Sequence, residues 1–219
     1  FGGSGSDQSN GIAVDMAGNV FVTGSFVGTA TFDTIILVSS GKNDVFIAKF
    51  NDSGIIQWVI KCGGQENDYG YAIDVDLEGN CYVTGSFNDT AYFENDTIRS
   101  YGYSDIFVAK YNSNGFLKWV KNYGGISLQG DVGLDIVIDD SSNCYVTGGF
   151  WFEAYFDSDT IGAGYGRNVF GVKLDSLGNI NWLISGIPTT GGGSDGGYGN
   201  SINIDAFGNI LIHGNFYNS

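Results

Sequence analysis

The chemistry this chain could perform is limited first by how unevenly its reactive side chains are supplied. There is one histidine, His213 in "LIHGNF", and there are three cysteines, Cys62, Cys81 and Cys144. A Ser/His/Asp or Cys/His nucleophile needs an imidazole within reach of the attacking atom and an acid to orient it, and no such grouping occurs in the sequence. His213 takes a place where the same phrase elsewhere carries Thr23, Thr84 or Thr147, which predicts a packed or hydrogen-bonded ring rather than a base. Cys81 and Cys144 stand where Val20 and Ile210 stand in other copies. The cysteines therefore read as small buried hydrophobes, not as disulfide partners or zinc ligands.

Carboxylates are plentiful, and two of them suitably spaced would hydrolyse a glycosidic bond. The acids that stand out, however, recur: Asp7, Asp68 and Asp131 lie eight residues ahead of Asp15, Asp76 and Asp139, and Asp44 and Asp105 precede a later strand. A catalytic centre is a single place built from non-equivalent residues, so recurrence predicts turn caps and hydrogen bonds between repeats. Lys49, Lys110 and Lys173 recur likewise and are expected to pair with these acids. The sequence thus predicts no catalytic residue and no enzyme. Calcium is the metal that "QENDYG" (65–70), "FNDT" (87–90) and "FENDT" (93–97) would suit as a structural ion, through clustered oxygen ligands on loops. None of these matches an EF-hand or nonapeptide calcium repeat, so no metal ligand and no cofactor are assigned.

Binding is better sought where copies disagree. The loop after "GGF" carries a unique aromatic pair, Trp151 and Phe152, a platform for a sugar ring or a partner protein. Tyr101 and Tyr103 in "SYGYSD" and Tyr165 in "AGYGRN" are candidates of the same kind.

These side chains are positioned by repetition. "GNVFVTGSF" (18–26) returns as "GNCYVTGSF" (79–87), "SNCYVTGGF" (142–150) and "GNILIHGNF" (208–216), and its asparagines (Asn19, Asn80, Asn143, Asn209) fall 61, 63 and 66 residues apart. Glycine pairs at Gly2/Gly3, Gly63/Gly64 and Gly124/Gly125, and tryptophans at Trp58, Trp119 and Trp182, keep step. The copies are 1–62, 63–123, 124–186 and a partial fourth at 187–219. With 36 glycines, one proline and 15% aromatic residues, the composition favours short strands and tight turns. Strands such as "VFV", "CYV" and "VFIA" are apolar at successive positions, so both sheet faces must be covered. An all-β β-propeller meets that need: four-stranded antiparallel blades, about three and a half of them in this stretch, each sandwiched by its neighbours. Ser142, where other copies place a turn glycine, predicts a strained or differently shaped hairpin.

The pattern "D…GNvyVTGsF…tatF…DiFvaKyn.nG…Wvk..GG" resembles the SBBP, or seven-bladed β-propeller, repeat of bacterial secreted and surface proteins, over essentially the whole chain. The resemblance implies that Trp58, Trp119 and Trp182 dock one blade on the next, and that the protein lies outside the cell or on its surface. It also implies a non-catalytic scaffold whose loops contact protein or polysaccharide in adhesion. A glycan-processing hydrolase or lyase, or a plain spacer, are the alternatives. Seven blades would exceed this length, so the remainder of the same chain or another subunit is expected to complete the ring. A net charge of −15 opposes nucleic acid as a partner. No apolar run reaches the roughly 20 residues of a membrane helix, and no membrane insertion is expected.

Overall fold

The computed structural model describes residues 2–162, 166–186 and 196–216. All regular structure in them is antiparallel β. After the short β1 (Gly2–Gly3), blade 1 consists of β2 (Gln8–Val14), β3 (Val20–Phe32), β4 (Ile35–Phe50) and β5 (Ile56–Gly64), hydrogen-bonded in that order. Blade 2 is β6 (Tyr69–Val75), β7 (Cys81–Phe87), β10 (Asp105–Tyr111) and β11 (Leu117–Tyr123), with the small hairpin β8 (Thr90–Phe93) and β9 (Asp96–Arg99) inserted after its second strand. Blade 3 repeats this as β12 (Val132–Ile138), β13 (Cys144–Trp151), β16 (Arg167–Leu174) and β17 (Ile180–Gly186), with β14 (Ala154–Phe156) and β15 (Asp159–Ile161) as its hairpin. A further pair, β18 (Gly197–Ile204) and β19 (Ile210–Phe216), starts a fourth unit. The first strands of successive units, β2, β6, β12 and β18, stand side by side.

The continuous apolar runs are explained by where the cores sit. One cluster joins Phe21, Val45 and Ile47 of blade 1 to Ile73, Val83 and Phe107 of blade 2; the next joins Tyr82, Ile106 and Val108 of blade 2 to Ile136, Val146 and Phe170 of blade 3. Blade 2 is thus buried on both faces. Cys62, Cys81 and Cys144 are free and buried in these layers, and burial pushes the thiols of Cys62 and Cys81 up to about 12, where they remain inert.

Three devices join one blade to the next. First, the outer strand of a blade runs on through its glycine pair to the small hairpin of the following blade: Gly63 pairs with Tyr92 and Gly64 with Ala91, as Gly2 and Gly3 pair with Thr31 and Ala30. A Cβ on Gly64 would lie 1.9 Å from the Thr90 carbonyl oxygen, and on Gly125 1.9 Å from that of Glu153, so the strap excludes any side chain. The 62/63 repeat boundary therefore falls inside β5. Second, the indoles of blades 1 and 2 cross to the next blade's outer turn. Trp58 Nε1 donates to the Ser113 carbonyl at 3.2 Å and its ring lies over Gly115; Trp119 Nε1 donates to that of Ser176 at 3.1 Å and its ring lies over Gly178. Both rings are half-buried, and Trp182 leans on Tyr145. Third, Asp68 accepts the amides of Gly64 and Asn88, and Asp131 those of Gly125 and Trp151, fastening strap to sheet.

One expectation is resolved and one is corrected. Ser142 keeps the same turn as its glycine counterparts, its amide donating to the Asp139 carbonyl at 2.9 Å as that of Gly18 donates to Asp15, and it reaches this turn at φ 61°. The strain is present without a change of shape, because Asp139 accepts from Ser141 and Asn143 and holds the loop closed. His213 is not packed: it lies exposed on β19. Thr84 and Thr147 are buried because the next unit's first strand covers them, meeting them at Gly133 and Gly199, and among the described residues no strand covers β19 in that way.

Candidate functional site

Each first strand carries a β-bulge at its start, where the register slips at Ser9/Gly11, Gly70/Ala72, Gly133/Asp135 and Gly199/Ser201. A bulge leaves one residue without a cross-strand partner and re-aims its side chain. Those residues are Asn10, Tyr71, Leu134 and Asn200. Two positions earlier, equivalent by pairing with Ser25, Ser86, Gly149 and Asn215, stand Gln8, Tyr69, Val132 and Tyr198. These are the places where an otherwise strict repeat disagrees with itself.

In blades 2 and 3 and the following pair they converge. Tyr69, Tyr71, Val132, Leu134, Tyr198 and Asn200 line one open groove of about 450 Å³, closed below by Ser86, Ser104, Gly130 and Asp131. Tyr69 and Tyr71 stack at 6.0 Å with an interplanar angle of 23°. Burial raises the Tyr71 phenol, which a hydrogen bond to Ser86 fixes in place. In blade 1 the bulge serves structure instead, Asn10 Nδ2 donating to the Gly70 carbonyl at 2.8 Å. The groove presents aromatic faces beside neutral hydroxyl and amide groups, and its one acid, Asp131, is engaged by two backbone amides. Such a surface stacks on a ring and exchanges hydrogen bonds with it; it has no nucleophile and base in contact.

Of the aromatic residues singled out from sequence, Trp151 and Tyr103 reach the border of this groove. Trp151 ends β13, meets Phe152 edge to face at 5.9 Å, and holds the Arg167 guanidinium 4.6 Å from its ring centroid; the same guanidinium lies 3.8 Å from the Tyr198 ring, so Trp151 borders the groove through Arg167. Trp151 Nε1 and Arg167 Nε are buried donors without acceptors. Phe152 is 42% exposed at φ 63°. Tyr103, 55% exposed, lies next to Gly130 of the groove lining, whereas Tyr101 packs edge-on against Tyr155 at 5.6 Å. Tyr165 falls outside the described residues. Tyr69, Tyr71 and Tyr198 are the groove residues that sequence reasoning missed, and the disagreement among Gln8, Tyr69, Val132 and Tyr198 is the signal that marks them.

The recurring acids and lysines are structural in their contacts. Asp15, Asp76 and Asp139 cap their hairpins through Asn19, Asn80 and Asn143; burial alone would raise them, but these bonds prevail and hold them below the usual carboxylate range. Lys110 lies 3.6 Å from Asp76 and Lys173 3.8 Å from Asp139, each over a tyrosine ring, while Lys49 donates to the Ser113 carbonyl. In the loops read as calcium-like, Asp68 is turned into the blade junction and Asp89 lies 3.5 Å from Arg99. Among the described residues no three His, Cys, Asp or Glu side chains converge.

Four-stranded blades, inter-blade straps and seated indoles define a β-propeller. The model of the SBBP family, described as a beta-propeller repeat, matches residues 1–25, in agreement with the resemblance carried by the repeats. An uncharacterized WD repeat-containing protein of Acanthamoeba polyphaga mimivirus is 31% identical over 169 residues, which is 67% of this chain and 12% of that protein. The chain thus spans only a small part of that relative's length. A crystal structure of a protein of unknown function from Bacteroides caccae is similar over 82% of each chain, at 13% identity and a TM-score of 0.31, too low to bear on the site.

Proposed function

We propose that this chain is a non-catalytic recognition propeller of a secreted or cell-surface bacterial protein, which holds a surface polysaccharide in the groove between the first strands of blades 2 and 3 and β18. One observation carries the reading: the positions at which the copies diverge are the positions that line the groove. Divergence within a repeat frees side chains from the packing that fixes the rest, and here it delivers three tyrosines to one place. Tyrosine faces beside neutral hydroxyl and amide groups match the apolar faces and hydroxyl edges of a pyranose. The net charge of −15 favours a neutral or basic ligand over a polyanion.

The test compares the chain with a Tyr71→Ala/Tyr198→Ala variant on immobilised neutral oligosaccharides, with turnover of each probe followed in parallel. Binding lost in the variant at unchanged melting temperature supports the reading. Binding to no probe, or undiminished by the variant, removes it in favour of a spacer, and release of shortened glycan replaces it with a glycan-processing enzyme.

A further inference from the structure

The third inter-blade device contains more acid than a latch requires. At the junction of blades 1 and 2, Asp44 and Asp68 flank Gly63, and at that of blades 2 and 3, Asp105 lies against Gly124 while Asp131 accepts the amide of the adjoining Gly125; Asp44 and Asp105 are 0% exposed, Asp68 and Asp131 1%. The two carboxyls of each pair sit on one glycine pair, and the Asp105 charge acts on Asp131. A Cβ on Gly63 would lie 2.7 Å from Asp68 Oδ2 and 3.0 Å from Asp44 Oδ1, and one on Gly124 would lie 2.6 Å from Asp105 Oδ1. Asp44 and Asp105 each spend Oδ2 on a backbone amide, of Ser40 and Tyr101, at 2.8 Å. Their Oδ1 atoms are buried without a partner. An unpartnered anionic oxygen beside a second carboxylate is far costlier than the same oxygen carrying a proton.

The two junctions meet this cost differently. At the first, Lys61 Nζ lies 3.2 Å from Asp44 Oδ2 and also donates to Ser40 Oγ. At the second, the equivalent position by register is Asn122, turned toward the Arg99 carbonyl. Asp105 faces the amides of Tyr101 and Gly102 and the Asp131 carboxyl; Asp131 faces the amides of Trp151 and Gly125, Asp105, and Arg167, whose guanidinium is stacked between Trp151 and Tyr198 rather than paired with an acid. In blade 3 the counterpart of Asp105 is Asn168, likewise 0% exposed, so the position accepts a neutral amide. We propose that the Asp105–Asp131 pair is a proton-operated joint: closed while the pair retains a proton, and driven apart, together with the groove wall that Asp131 forms, when that proton passes to solvent.

The sign of the pH dependence follows from the same surroundings. Burial pushes Asp105 and Asp131 up to about 7, and Asp68 up to about 7 as well, with Asp44 raised against the pull of Lys61. An unfolded Asp titrates near about 3.9. Folding therefore favours the protonated pair, and stability falls as pH rises from about 4 through about 7. The hairpin acids Asp15, Asp76 and Asp139, held low, act only below about pH 4, so they leave this window clear.

Thermal unfolding of the chain between pH 5 and 8.5 tests the joint without reference to any ligand. The melting temperature is expected to fall by roughly 5 °C or more across that range. Asp105→Asn should flatten the profile by raising its alkaline end. Asn122→Lys, which transplants the first junction's ammonium, should raise the pH 8.5 value and leave the pH 5 value in place; if Asp105→Asn does not fold, this variant decides alone. A wild-type profile that is flat or rises with pH, or an Asn122→Lys profile parallel to wild type, overturns the proposal.

Discussion

The blade junctions and the groove are built from the same strands under opposite rules. At the junctions of blades 1 and 2 and of blades 2 and 3 the copies share three features: a glycine pair with no room for a Cβ, an indole over the next turn's glycine, an aspartate bonded to two amides. Along the groove, a few residues away, equivalent places hold Gln8, Tyr69, Val132 and Tyr198, and the bulge holds Asn10, Tyr71, Leu134 and Asn200. The difference teaches how a repeat divides its work. Backbone-to-backbone contact and close packing admit one residue type, so they are written identically, whereas a bulged residue has no cross-strand partner to match and is free to specialise.

Substitutions should separate the two regions sharply. Gly125→Ala puts a methyl group into the Glu153 carbonyl; a loss of about 4 kcal/mol or failure to fold is expected by urea denaturation. Gly64→Ala at the preceding junction should match it. Trp119→Ala removes a half-buried ring and its bond to Ser176, for an expected cost of about 3 kcal/mol, equal within error to Trp58→Ala because the two seats are alike. Ser142→Gly relieves a serine held at φ 61° and should stabilise by about 1 kcal/mol, read as a raised midpoint with unchanged slope. Smallest of all, Tyr71→Ala with Tyr198→Ala should shift stability by less than about 1 kcal/mol.

The sequence made the junctions legible and the groove nearly invisible for one physical reason. Trp58, Trp119 and the glycine pairs announce themselves by recurring, and recurrence is what a single chain can display without relatives. The blade class and the apolar layers follow directly from them. Ser142 was visible as a departure, but that it would keep the turn depended on Asp139 accepting from Ser141 and Asn143, a balance the sequence does not print. Tyr69, Tyr71 and Tyr198 sit inside strands that look ordinary until register aligns them. The bulge that aims Tyr71 outward leaves no mark beyond a glycine one residue before it, Gly70, and an unmatched position in the pairing. Trp151 and Tyr103 are visible in the sequence because they interrupt the repeat, and they border the groove without lining it.

The division of labour between repeated and divergent positions is tested most directly by measuring melting and glycan binding together on the Tyr71→Ala/Tyr198→Ala variant. The account predicts a melting temperature within about 2 °C of wild type and binding to neutral oligosaccharides reduced below detection. A variant that melts far earlier, or that binds as wild type does, would show that these tyrosines hold the blades rather than a ligand.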